Sequence, residues 1–127
     1  MKSYSGFTRL LGAGLIWGGA ELTLGSFLHA IHSPYKGVIM TGIGLAIIGI
    51  YLLREKKIWH PIIIGVIAGM VKCCGSLLFG IPLWSRAIIN PATAIITEAT
   101  VVTLVIWLSD MLVTGLQKTI ALFNKNK

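Results

Sequence analysis

The sequence predicts an all-α, polytopic membrane protein. It has about four transmembrane helices arranged as two tandem helical hairpins, in a single integral membrane domain over residues 1–127. Three observations carry this. The chain is 55% hydrophobic with a mean hydropathy of +0.84, far more apolar than a soluble domain. Its eleven basic and four acidic residues fall mostly at the ends and between apolar runs. Runs such as 38–53 have almost no polar residues, so a helix there has no polar face to turn toward water.

Residues 7–31 form the first predicted span, long enough to cross a hydrocarbon core of ~30 Å at ~1.5 Å per residue. Met1-Lys2 and Arg9 before the apolar run Leu10–Ala20 have the layout of a signal peptide. Apolar character continues to Ile31, however, and the segment is read as a retained span. Ser33-Pro34-Tyr35-Lys36 breaks it, because proline disfavours helix at the residue before it. The second span is 37–53, closed by the cluster Arg54-Glu55-Lys56-Lys57. Trp59-His60-Pro61 places an interfacial aromatic before a helix-starting proline, and the third span follows over 62–79. After the turn around Gly80 and Pro82, the fourth span covers 87–116, too long for one straight perpendicular crossing. Asn90-Pro91 marks a kink or re-entrant start there. The basic tail 118–127 is expected at the surface.

With four spans, both termini and the 54–60 loop share one side. That side carries Lys2, Arg9, Arg54, Lys56, Lys57, Lys118, Lys125 and Lys127, against Lys36 and Arg86 on the other. The asymmetry predicts a multi-pass protein of the cell membrane with both termini cytoplasmic. The net charge of +7 therefore marks topology and contact with anionic headgroups. No basic face is available for nucleic acid, which is excluded as a partner.

A faint internal repeat supports the hairpin pair. Gly14-Leu-Ile-Trp-Gly18 resembles Gly65-Val-Ile-Ala-Gly69, both close-packing patterns for membrane helices. Gly25-Ser26 then aligns with Gly75-Ser76 and Lys36 with Arg86, after one gap, which sets Glu21 opposite Lys72.

Function is sought among polar residues inside the spans. Helix rise puts Glu21 ~20 Å and Lys72 ~18 Å from the side of the termini, and Glu98 ~16 Å from the other side. All three lie near one midplane, where each charge costs ~2.5–3.5 kcal/mol even on the lenient insertion scale. They are expected to face one another inside the bundle as a ligand- or proton-binding site. One lysine cannot neutralise two carboxylates, so one glutamate is left to hold a proton or meet a cationic ligand. The competing reading is a buried Glu–Lys–Glu network that only sets helix register. Trp17, close to Glu21, is a candidate for stacking on a ligand cation, or else a packing or lipid-facing residue.

His29 and His32, spaced i and i+3, are expected on one helical face at the outer mouth. No third ligand accompanies them, so no metal is assigned. Cys73 and Cys74 are adjacent, which disfavours a structural disulfide between them, and they read as packing residues. No catalytic constellation is evident: no CxxC, no phosphate-cradling loop, no carboxylate-rich Mg²⁺ motif. Neither catalytic residues nor cofactors are assigned.

Glu21-x3-Gly25-Ser-Phe-Leu-His29, Ser33-Pro-Tyr-Lys36-Gly37 and Asn90-Pro-Ala-Thr-Ala-Ile-Ile-Thr-Glu98-Ala resemble small bacterial membrane proteins. Some of these are similar to the substrate-binding (S) components of energy-coupling factor vitamin transporters. That resemblance implies a nutrient bound within the membrane and an ATPase module as partner. The length, the four spans and the first-span position of Glu21 also resemble the small multidrug-resistance antiporters. There a first-span glutamate exchanges protons for cationic drugs in a dimer, a role that would fall to Glu21. The sequence therefore points to a transporter or transporter component with a small-molecule substrate. The alternative is an accessory subunit docking through Gly-rich helix faces. Either way, homo-oligomers or other membrane protein subunits are expected as partners, because short four-span chains bury little between their own helices.

Overall fold

The computed structural model describes residues 2–125, with side chains from residue 5 onward. Lys127 and the side chain of Lys2, both counted in the charge asymmetry, lie outside the described residues. The chain is helical throughout its described length apart from short turns: α1 (Lys2–Ala20), a π-helical turn (Glu21–Gly25), α2 (Ser26–Ala30), α3 (Lys36–Arg54), α4 (His60–Leu78) and α5 (Arg86–Lys125). Four segments are long and apolar enough to cross a membrane: Ser5–Ala30, Lys36–Arg54, His60–Leu78 and Arg86–Lys125.

Local chemistry explains where the helices begin and end. Pro61 enters α4 in its first turn, where its missing N–H costs no intrahelical bond. Ser85 caps α5, its hydroxyl accepting from the Ala87 N–H at 3.2 Å. The α2 and α4 C-termini close with the same motif. Ser33 N–H donates to Leu28 C=O and His32 N–H to His29 C=O, both at 3.0 Å, with His32 at φ 51°. Ile81 N–H donates to Ser76 C=O at 3.0 Å and Gly80 N–H to Leu77 C=O at 3.3 Å, with Gly80 at φ 64°. Each is a Schellman cap that needs one left-handed residue. Glycine fills it after α4 and a histidine after α2. Lys36 and Arg86 each open the helix that follows.

Close approach centres on α4, which packs against both α1 and α5. A Cβ at Gly14 would lie 2.6 Å from Ile67 Cβ, and one at Gly18 would lie 2.5 Å from Val71 Cβ. On the other face of α4, a Cβ at Gly65 would lie 2.3 Å from Ala99 Cβ. Both Gly-x-x-x-Gly patterns are thus used within the chain, the first between α1 and α4 and the second between α4 and α5. The buried stripe of α3 is Met40, Gly44, Ile48 and Tyr51, the spacing of one helical face. The Tyr51 hydroxyl hydrogen-bonds His60 Nδ1, joining the end of α3 to the start of α4. Arg9 and Glu55 form an ion pair at 2.9 Å beside it.

α5 has 40 residues, a length of ~60 Å. It runs continuously through Pro91, which sits in its second turn. Ile88, Ala92, Ile95, Ala99 and Thr103 are buried, and no described residue beyond Thr103 is. The helix extends through the basic tail to Lys125, exposed along that stretch. Large apolar side chains such as Leu104, Leu108, Leu112 and Leu116 are at least half exposed, an outward-facing apolar surface suited to lipid and not to water.

Candidate functional site

Glu21 opens the π turn, one turn beyond the Gly14/Gly18 contact with α4. Thr23 donates its hydroxyl to the Gly19 carbonyl at 2.9 Å just where the helix widens. A π turn displaces backbone carbonyls from the regular ladder. The Glu21 carbonyl is met here from outside, by Lys72 Nζ donating at 3.0 Å. The same ammonium donates to Ser26 Oγ at 3.5 Å. Lys72 is thus held by a main-chain oxygen and a hydroxyl, with no carboxylate of the described residues within ion-pair distance. Both Glu21 and Lys72 are buried.

The Glu21 carboxylate points along its own turn toward Gly25. A Cβ at Gly25 would lie 2.8 Å from Glu21 Oε2. Glycine at this position leaves the room the carboxylate occupies. From there Glu21 lines a cavity of about 200 Å³ with Lys36, Met40, Thr41, Asn90 and Glu98. Glu98 enters from α5, half-buried, and its Oε1 has no hydrogen-bond partner among the described residues.

Lys72 faces a second cavity of about 170 Å³, shared with Ser26, His29, Lys36, Ser76 and Phe79. Lys36 is common to both. It interacts electrostatically with Glu21 on one side and Lys72 on the other. The sequence placed Lys36 among the loop charges and missed it as a site residue. As the first residue of α3 it reaches back over the cavities, and the broken Ser-Pro-Tyr turn before it was the available signal. With Lys36 the cluster holds two carboxylates and two ammoniums. Among the described residues the sole ion pair is Arg9–Glu55, so these four charges are not paired with one another.

Glu21, Lys72 and Glu98 come together from three segments, while the other candidates separate. Trp17 is wholly buried in the main apolar cluster with Ile48, Ile64, Ile95 and Ala99. It is not lipid-facing and lines neither cavity. Its ring packs on Gly44, where a Cβ would lie 2.5 Å from Trp17 Cζ2 and 2.8 Å from Glu98 Oε1. The indole N–H, like Glu98 Oε1, has no partner, so Trp17 borders the site from its packed side. His29 and His32 do not share a helical face, because α2 ends at Ala30 and His32 is the left-handed residue of its cap. His29 lines the Lys72 cavity and His32 does not.

Cys73 and Cys74 are free, one half-buried and one exposed. Among the described residues, no three His, Cys, Asp or Glu side chains are grouped to hold a metal ion. Comparison with protein-family models, curated proteins and solved structures finds no match for this chain.

Proposed function

We propose that this chain is a transporter, or a component of one, that binds a small solute near the bilayer midplane between Glu21, Lys72, Glu98 and Lys36. One observation carries the reading: four charges lie around two small cavities without pairing with one another. Buried charges that only lock helix register are expected to satisfy one another directly, whereas charges lining a cavity await a ligand or a proton. The π turn that offers the Glu21 carbonyl to Lys72 fits the same reading, since π turns frequently mark functional sites. In this reading the chain forms two tandem hairpins with both termini cytoplasmic, as the Lys and Arg asymmetry requires.

The test is Glu21→Gln in purified, reconstituted protein. Loss of solute binding or transport with the fold intact supports the reading. Unchanged binding and transport of every solute that acts on the parent protein would reduce the carboxylate to a structural role. The accessory-subunit reading draws on a different observation, the part of α5 beyond Thr103 that no other helix covers. A fixed stoichiometric partner in mild detergent extracts, with no stabilisation by solutes, would favour it.

A further inference from the structure

The two cavities differ in the sign of the charges that are theirs alone. Glu21 and Glu98 line one, with the hydroxyl of Thr41 and the amide of Asn90. Lys72 lines the other, with His29 and the hydroxyls of Ser26 and Ser76. Lys36 lies between them. Glu21 is 6% exposed and its carboxylate has no ion-pair partner among the described residues. Lys72 is 7% exposed and two of its three N–H donors are taken by neutral oxygens, which leaves one to give.

We infer that the solute is a small zwitterion, with its ammonium held by Glu21 and Glu98 and its carboxylate by Lys72 and Lys36. This rests on the solute-binding reading above and narrows it to a substrate class. The charge count supports it: two carboxylates and two ammoniums leave the empty cluster neutral, and a ligand with one charge of each sign keeps that balance while pairing both signs. A lone cation would satisfy the glutamates and leave two ammoniums unpaired in a low-dielectric setting, and a lone anion would do the reverse. Size limits the solute, since each cavity, about 200 Å³ and 170 Å³, is smaller than the ~300–1,000 Å³ usual for ligand sites, so only a small solute reaching into both fits. The separation of the two signs by Lys36 favours a solute whose charges sit on different carbons.

The experiment is thermal stabilisation and calorimetric titration of the purified, full chain with 4-aminobutyrate and L-valine. Butylamine, isobutylamine, butyrate and isovalerate serve as the singly charged halves. At least one zwitterion is expected to bind tenfold or more tighter than either of its halves. Lys72→Met should erase the advantage over the amine, and Glu98→Gln the advantage over the acid. Lys36→Gln, at a half-buried helix start, repeats the first comparison should Lys72→Met fail to fold. A half binding as tightly as its zwitterion overturns the inference and leaves the solute-binding reading standing. Binding of neither zwitterion overturns it too. The broader reading fails separately, if a wide panel of charged and neutral solutes stabilises neither the parent nor Glu21→Gln.

Discussion

Gly18 and Gly19 are neighbours in α1, and replacing each by alanine should have opposite consequences. At Gly18 the new Cβ would lie 2.5 Å from Val71 Cβ, 2.8 Å from Val71 Cγ1 and 2.9 Å from the Ala68 carbonyl oxygen. Carbon–carbon contacts rest at about 3.5–4.0 Å, so α1 must withdraw from α4 by roughly 1 Å. Overpacking of this kind typically costs about 1–3 kcal/mol. Glu21 lies one turn further on, and the same withdrawal stretches the 3.0 Å bond from Lys72 Nζ to its carbonyl. Loosening the partner of a buried ammonium adds a further ~1–3 kcal/mol. The better helix propensity of alanine returns at most about 1 kcal/mol, leaving a net loss of roughly 1–5 kcal/mol from these terms. At Gly19 nothing lies within 4 Å of the added Cβ, so Gly19→Ala keeps only the propensity gain. Unfolding in mixed micelles by SDS titration, followed by tryptophan fluorescence, would measure both. Gly18→Ala unfolding within about 0.5 kcal/mol of Gly19→Ala, below the overpacking range, would refute the close α1–α4 packing.

Gly25→Ala should leave stability within about 1 kcal/mol of the parent, because the atom it meets is the mobile end of Glu21. It should still weaken solute binding tenfold or more, since a displaced carboxylate forfeits a charge-assisted hydrogen bond worth ~1.5–3 kcal/mol. Parallel unfolding and binding titrations separate the two effects. His32→Gly should raise stability by about 1 kcal/mol by removing a left-handed β-carbon, and an unchanged midpoint would argue against a left-handed cap at His32. Glu55→Gln should cost no more than about 1 kcal/mol, because Arg9 is 48% exposed. That loss should shrink with added salt, and a salt-independent loss would count against a solvated pair.

Composition made the four long apolar helices legible, since each apolar run has the ~17 or more residues that a crossing takes. The positions of Glu21, Lys72 and Glu98 along their helices were legible too, because helix rise is constant and the charges interrupt otherwise apolar runs. Depth says nothing about azimuth. Sequence spacing left Trp17 open to ligand or lipid, while the packing of α1 on α3 and α4 turns it into the core. The i, i+3 spacing likewise put His29 and His32 on one helical face, although the helix ends at Ala30 and His32 is the left-handed residue of its cap. By sequence Lys36 is a loop charge, and only the return of α3 across the bundle brings it over both cavities.

The second half of the first span shows the division most clearly. By itself the sequence determined that Glu21 lies in a long apolar helix, because hydropathy and rise are local properties of the chain. Only the tertiary structure decided what surrounds that carboxylate. The π turn, the space at Gly25 and the approach of Lys72 to the Glu21 carbonyl depend on how closely α1 meets α4. That distance is set by side chains more than 40 residues away in sequence, which meet only when the bundle closes.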